Sequence, residues 1–240
     1  MNKFVKFSVA ALALAAVQSV CAQDEAEVEE TVAVETSYGC TPIAIGLATL
    51  VQIPWGWDKW DVFGLDLNVF LSQAPKCYGL QIGGLGNMTS SEMVGFGVSG
   101  LFNWSNGDVY GVRAPLGLNY NDGKFCGLDM GAVGFHKDVV GCDIECACCI
   151  QENIVGFNAS LIGSYTSNES YGCTMGALNI AEKAYGCQVA LAYNHADELH
   201  GCQIGLVNYC RECPWGFQIG LVNIILDNTV KVLPIVNCYF

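Results

Sequence analysis

The chain has 240 residues, 52% hydrophobic and only 14% charged, with a formal net charge of −13 and a pI near 4.4. That composition is too apolar for a disordered chain, and its negative charge opposes sequence-independent nucleic-acid binding, which needs a cationic footprint. Its 28 glycines follow no three-residue period, which excludes collagen, and no apolar run after residue 25 is long enough for a spanning helix.

Lys3 and Lys6 precede an apolar core from Val9 to Val17, and Val20 and Ala22 fit the small-residue rule for cleavage before Gln23. Residues 1–22 are therefore read as a signal peptide, and the protein as exported to the outer membrane or cell surface. Cys21 follows Val20 rather than Gly, Ala or Ser, so lipidation is not expected. Residues 23–37 hold Asp24, Glu25, Glu27, Glu29, Glu30 and Glu35 with no basic residue. A like-charge block repels itself and buries nothing, so it is read as a flexible acidic arm.

Residues 38–240 read as a single repeat-built β domain. A glycine preceded by an aromatic or apolar residue recurs at Gly64, Gly79, Gly95, Gly111, Gly127, Gly141, Gly156, Gly172, Gly186, Gly201 and Gly216, every 14 to 16 residues. With less regular copies around Ile43–Leu50 and Val230–Phe240 this makes about thirteen units. Within a unit the period is two, which is the period of a strand. One face carries Leu65, Leu80, Phe96 and their equivalents; the other carries glycine and then Asp66, Gln81, Arg113, Asp129 or Gln203. Asn106-Gly107 and Asp122-Gly123 read as hairpin turns.

Two architectures share this pattern. Removing a turn from each unit leaves strands of roughly 10 to 12 residues, close to the length that crosses a bilayer. The expected fold is therefore all-β, an up-and-down antiparallel meander closing into an outer-membrane-type barrel of about 12–14 strands. Its greasy face meets lipid, and Asp66, Arg113, Asp129, Asp143 and Glu145 point into the interior. Trp55, Trp57, Trp60, Tyr78, Tyr110, Tyr171, Tyr185 and Trp215 then form interface girdles. The chain ends in Phe240, like a terminal barrel strand, although Pro234 requires a bulge there. The alternative is a parallel β-solenoid with the greasy face turned inward, Asn179, Asn208 and Asn223 in ladders, and Cys173, Cys187 and Cys202 in a column. Against it stand the hairpin turns and the lack of an apolar second side in such short coils.

The clearest copies, Gly201-Cys-Gln-Ile-Gly-Leu-Val-Asn208 and Gly216-Phe-Gln-Ile-Gly-Leu-Val-Asn223, are joined by Tyr78-Gly-Leu-Gln-Ile-Gly83 and Leu233-Pro-Ile-Val-Asn237. This motif resembles the bacterial tandem surface-repeat proteins first noted in spirochaetes, over roughly residues 40–240. The resemblance implies an exported surface or outer-membrane protein and carries over no catalytic or ligand residue. The chain departs from it in its cysteine load and in the drifted units at 94–119 and 140–164.

The densest cysteine cluster is Cys142-Asp-Ile-Glu-Cys146-Ala-Cys148-Cys149, and Cys210-Arg-Glu-Cys213 has the spacing of a metal knuckle. Because Cys142, Cys146 and Cys148 share the parity of apolar positions, they are read as small hydrophobes, and no metal or other cofactor is assigned. A disulfide across the turn fits Cys210 and Cys213 better than the others. His136, His195 and His200 show no partner spacing and are read as surface residues, the first two next to turns. Gly83-Gly84-Leu-Gly86 precedes no helix, so it offers no phosphate cradle. Nothing marks an enzyme. Trp55, Trp57 and Trp60 suit a membrane anchor better than a sugar platform. The expected partner is a lipid bilayer, not nucleic acid, and no ligand or protein partner is legible. The function expected is structural or a narrow cation-preferring pore, with a secreted solenoid binding a partner or carbohydrate as the alternative.

Overall fold

The structure is a computed structural model and describes residues 39–48, 51–56 and 59–239; the segments read above as a signal peptide and an acidic arm, with Trp57 and Phe240, lie outside them. Residues Ser37–Phe240 form one unit. Its elements are all strands: β1 (Gly39–Ala48), β2 (Val51–Ile53), β3 (Trp60–Asn68), β4 (Leu71–Gly83), β5 (Gly86–Ser99), β6 (Phe102–Ser105), β7 (Asp108–Pro115), β8 (Leu118–Ser160), β9 (Gly163–Ile204), β10 (Val207–Ile225) and β11 (Val232–Cys238). β8 and β9, at 43 and 42 residues, are too long to be straight, and each winds through more than two coils.

Neighbouring coils pair in parallel with like residues in register. Gly64 lies beside Gly79, Gly79 beside Gly95, Gly156 beside Gly172 and Gly201 beside Gly216. The fold is therefore a parallel β-solenoid of about 10 turns, and the antiparallel barrel expected from strand length is corrected to the alternative. Only the ends reverse direction: β2 pairs antiparallel with β1, and β11 with β10. These short strands blunt the two open sheet edges. The register of β11 shifts around Pro234, between the Gly220–Ile235 and Asn223–Leu233 pairs, so the strand that resembled a barrel terminus bulges and caps the stack.

Each coil has two flanks. The first holds the glycine and the residues after it; the second holds the stretch equivalent to Leu71–Ala74. An apolar edge such as Val69-Phe70 joins them on one side, and a polar edge such as Ser90-Ser91-Glu92 on the other. Asn106-Gly107 and Asp122-Gly123 are polar edges, not hairpins: Gly123 stacks over Gly107, and the chain carries on round the coil. The eleven repeat glycines form a column. A Cβ on Gly156 would stand 2.0 Å from the Gly141 carbonyl oxygen, and φ is +140° there. Only glycine combines that close approach with that backbone.

The interior is polar and the outside greasy, opposite to the faces expected for a solenoid. Asp66, Gln81, Asp129, Asp143, Asn158, Gln203 and Gln218 are completely buried, whereas Phe96 is 57% and Ile219 40% exposed. Much of the interior is hydrogen-bonded in ladders that run from coil to coil. Asn179 donates to Asn194 (3.0 Å), Asn194 to Asn208 (2.9 Å) and Asn208 to Asn223 (2.8 Å). Gln203 donates to Gln188 (2.8 Å) and Gln218 to Gln203 (2.7 Å). An amide both donates and accepts, so identical residues can pair without limit along the stack. Beside the ladders, against the polar edge, run thin apolar cords such as Met93, Val109, Phe125, Val139 and Ile154.

Asp66 shows the cost of a charge in this interior. It accepts from Asn68 (2.7 Å), Gln81 (3.3 Å) and Ser72, yet burial outweighs those bonds and raises its pKa from 3.8 to about 6. A carboxyl raised on folding contributes stability at low pH that is lost as pH rises through its folded value. Relative to Asp66→Asn, the wild type is expected to lose about 2 kcal/mol between pH 4 and pH 7, read from urea unfolding at both pH values. A pH-independent difference between the two proteins would contradict this.

Candidate functional site

The amide ladders break in the middle of the stack, where charge replaces them. Arg113, Asp129, Asp143 and Asn158 occupy the column that holds glutamine at Gln81, Gln188, Gln203 and Gln218. Glu145 lies one interior position further along from Asp143, and His136 and Cys149 enter from the second flank. Gly131 and Gly134 make the room: a Cβ on Gly131 would meet Glu145 Oε2 at 2.7 Å, and one on Gly134 would meet His136 Nε2 at 2.7 Å and Glu145 Oε1 at 2.9 Å. Asn119, its own ladder interrupted at Gly134, donates to Glu145 Oε1 instead (3.2 Å).

Arg113 forms a short ion pair with Asp129 Oδ2 and donates to the Tyr120 carbonyl (3.2 Å). Its guanidinium lies over Phe125, 4.9 Å from the ring centroid. His136 Nε2 is 3.5 Å from Asp129 Oδ2 and 3.7 Å from Asp143 Oδ2, and all three side chains are sealed from solvent. The Cys149 thiol donates to Asp143 Oδ2 at 2.6 Å. Asp129 Oδ1, His136 Nε2, Asp143 Oδ1, Glu145 Oε2 and Arg113 Nε have no hydrogen-bond partner. Asn68, Asn87, Asn158, Asn179 and Gln218 carry unpartnered atoms elsewhere in the interior; these five differ in that they belong to ionisable groups gathered in one place.

Burial dominates the electrostatics. It raises Asp143 to about 7, against the hydrogen bond from Cys149 and with help from the Asp129 charge. It raises Glu145 to about 8, with the Asp143 charge adding to it. Asp129 is raised too, because burial outweighs the Arg113 charge. His136 is pushed well below its usual value by burial and by Arg113, and the Cys149 thiol well above its own by burial and by Asp143.

The structure thus brings four of the five sequence-selected charges (Arg113, Asp129, Asp143, Glu145) into one cluster and leaves Asp66 in the ladder several coils away. They meet inside a packed solenoid, not round a lumen. His136 and His195, expected on the surface, are buried at 5% and 6% exposure. His136 shares its column with Asn121 and Gln151, both interior, so interior parity was the signal that pointed to it. Cys149 has the opposite parity to Cys142, Cys146 and Cys148, which lie on the outer side.

The second candidate site is the outer surface. Because all coils run the same way, Tyr78, Tyr110, Tyr171, Tyr185 and Trp215 form one column bordering the polar edge, not two girdles at strand ends. They stack along it: Phe63 on Tyr78 (4.6 Å), Tyr171 on Tyr185 (4.5 Å) and Tyr185 on His200 (4.7 Å). Their hydroxyls reach edge carboxylates, Tyr78 to Glu92 at 2.6 Å and Tyr171 to Glu169 at 3.2 Å. A matching column borders the other side of the edge, with Trp104 stacked on Tyr120 (4.0 Å) and His195 on Tyr209 (4.8 Å). Trp60 donates to the Trp55 carbonyl (3.2 Å), and Trp55 is exposed.

Cysteines continue the outer columns. None of the thirteen described cysteines is in a disulfide; Cys187 and Cys202 stack with 3.1 Å between their sulfurs, and Cys210 and Cys213 are buried reduced on either side of a polar edge.

Among the described residues, every Lys, Arg, Asp and Glu outside the interior lies along the polar edge, apart from Lys59 and Lys231 near the two ends of the stack. Both flanks and the apolar edge, where Leu116, Leu161, Leu191 and Leu221 protrude, carry none. Comparison with family models, curated proteins and solved structures finds no match to this chain.

Proposed function

We propose that the chain is an exported surface solenoid that seats its two uncharged flanks and apolar edge in the interfacial layer of a lipid bilayer, with the polar edge facing water. The observation that carries this reading is the segregation of charge. A soluble protein rarely exposes a continuous apolar patch larger than a few hundred Å², and this surface wraps two flanks and the edge between them. A single protein partner would have to embrace that wedge, and its rim would call for charge; lipid surrounds it without either requirement. Coil-to-coil pairing satisfies the backbone along both flanks, as hydrocarbon demands. Aromatic columns border the polar edge on both sides, where amphipathic rings sit at a membrane–water boundary.

The wedge lies in the interface and does not cross it, so the reading is an anchored surface protein and not a pore. Sugar binding is the weaker reading, because the rings of the aromatic columns already stack on one another and have little free face to offer. The leader-like residues 1–22 support export.

Flotation with uncharged phosphatidylcholine vesicles tests the proposal. The full chain is expected to float with the vesicles at low and high salt alike, since no charge attraction is involved. Leu161→Glu combined with Leu191→Glu, at positions 75% and 78% exposed, is expected to reduce flotation at least tenfold while leaving the β circular dichroism intact. A wild-type chain that stays at the bottom of the gradient as a monomer would overturn the proposal. So would a discrete dimer there, which would assign the flanks to a second copy.

A further inference from the structure

We propose that the break in the interior ladders is a structural metal site: His136 Nε2, Cys149 Sγ and an Asp143 carboxylate oxygen hold one divalent cation of the zinc class. Two overlapping donor sets exist in the fold. His136, Asp143 and Cys149 place one donor atom each within 4.8 Å of one another, and so do Asp129, His136 and Glu145. Tetrahedral zinc with bonds of about 2.0–2.3 Å spaces its ligands by roughly 3.3–3.8 Å. The 3.7 Å from His136 Nε2 to Asp143 Oδ2 already matches that spacing. The 2.6 Å thiol–carboxylate hydrogen bond would open as the metal takes the place of its proton.

Independent of the acidic residues, a completely buried imidazole turns an unpartnered Nε2 into the cluster. Its Nδ1 is 3.5 Å from Arg113 Nη2, which can only donate; metal at Nε2 leaves the proton on Nδ1, so the guanidinium has to turn away from the ring as the ion binds. Asp143 Oδ1 and Glu145 Oε2 are unpartnered as well. A cation held between His136 and Asp143 gives the imidazole nitrogen the partner it lacks.

Charge also balances. Asp129 is paired with Arg113, so the Asp143 carboxylate and the Cys149 thiolate supply the two negative charges that neutralise a dication, and His136 binds as the neutral imidazole. The thiol proton leaves to solvent when the metal binds. Glu145, held by Asn119 and seated in the space left by Gly131 and Gly134, belongs to the second donor set with Asp129 and His136 and is not one of the three ligands, so the charge balance stands without it. The sulfur and nitrogen donors select zinc over magnesium or calcium, which take oxygen alone. Because the ligands come from successive coils and are sealed from solvent, the ion enters as the coils close over it and pins the stack at the point where the amide ladders fail.

The test is metal content of the full chain, folded in the presence of zinc sulfate and desalted against a chelating resin. About one zinc per chain is expected by mass spectrometry. Cys149→Ser and His136→Gln substitute residues already found in the same interior columns, at Ser164 and Gln151, and each is expected to lower retained zinc at least tenfold with the β circular dichroism unchanged. Cys146→Ser, on the outer surface, is expected to keep full stoichiometry. Refolding with cobalt(II) is expected to give a sulfur-to-cobalt charge-transfer band in the wild type and none in Cys149→Ser. A folded wild type with less than a tenth of an equivalent of zinc would overturn the site, as would variants that hold metal like the wild type. Vesicle flotation by metal-free protein would leave the membrane reading standing, so the two failures are distinguishable.

Discussion

Gly156→Ala is expected to cost roughly 2–6 kcal/mol, a large share of the stability of an ordinary domain. Two effects add. The backbone at Gly156 has φ +140°, where an L side chain costs about 1–3 kcal/mol. The new methyl would also stand 2.0 Å from the Gly141 carbonyl oxygen and 2.9 Å from its carbonyl carbon. Relief requires the two coils to separate, which overpacks the neighbouring rows at a further cost of about 1–3 kcal/mol. Leu161→Ala, five residues on at a position 75% exposed, is expected to change stability by no more than about 0.5 kcal/mol. Urea unfolding followed by circular dichroism compares the two. A Gly156→Ala protein as stable as Leu161→Ala would show that the glycines do not stack.

Asn194→Leu is expected to destabilise by roughly 2–6 kcal/mol, although it replaces a polar residue in a fully buried place with an apolar one. Asn194 accepts from Asn179 and donates to Asn208 Oδ1 (2.9 Å) and the Ile204 carbonyl (2.9 Å). Leucine leaves those two acceptors buried without this donor, at about 1–3 kcal/mol each. The sign decides between two interiors: in a solenoid filled with greasy residues the same substitution would be neutral or stabilising. Urea midpoints of wild type and variant measure it, and a variant at or above the wild-type midpoint would refute the ladder as a source of stability.

The faces of this fold were legible in the alternation of residues; the direction of its strands was not. Period-two alternation placed Asp66, Arg113, Asp129, Asp143 and Glu145 together on one side, and they are all interior. The same alternation is compatible with antiparallel neighbours, and strand length then favoured a bilayer-crossing meander. What separates the two is that every unit starts with the same motif in the same phase. Amides such as Asn194 and Asn208 pair with their own kind only when like positions stack, which a meander does not provide. Asn106-Gly107 misled because turn chemistry reports a local bend and not where the chain goes next. The expectation that a buried face must be apolar reversed the solenoid's faces and, with them, the reading of His136. In this interior a histidine is one more polar residue on the inner parity. The gathering of His136 and Cys149 around Asp143 depends on which columns face each other across the coil, and spacing along the chain does not encode that.

The central claim is the parallel stack with its polar residues inside, and the most direct test is one distance. Leu65 and Phe217 hold equivalent positions in the first and last rows of the glycine column, ten rows apart. At about 4.8 Å per row they are roughly 48 Å from each other. Spin labels attached through encoded ketone residues at these two sites, so that the native cysteines stay untouched, are expected to give a dipolar distance of roughly 45–55 Å. In a closed meander of about thirteen strands the two sites would lie about three strands apart across the closure, and a distance under about 20 Å would contradict the solenoid outright.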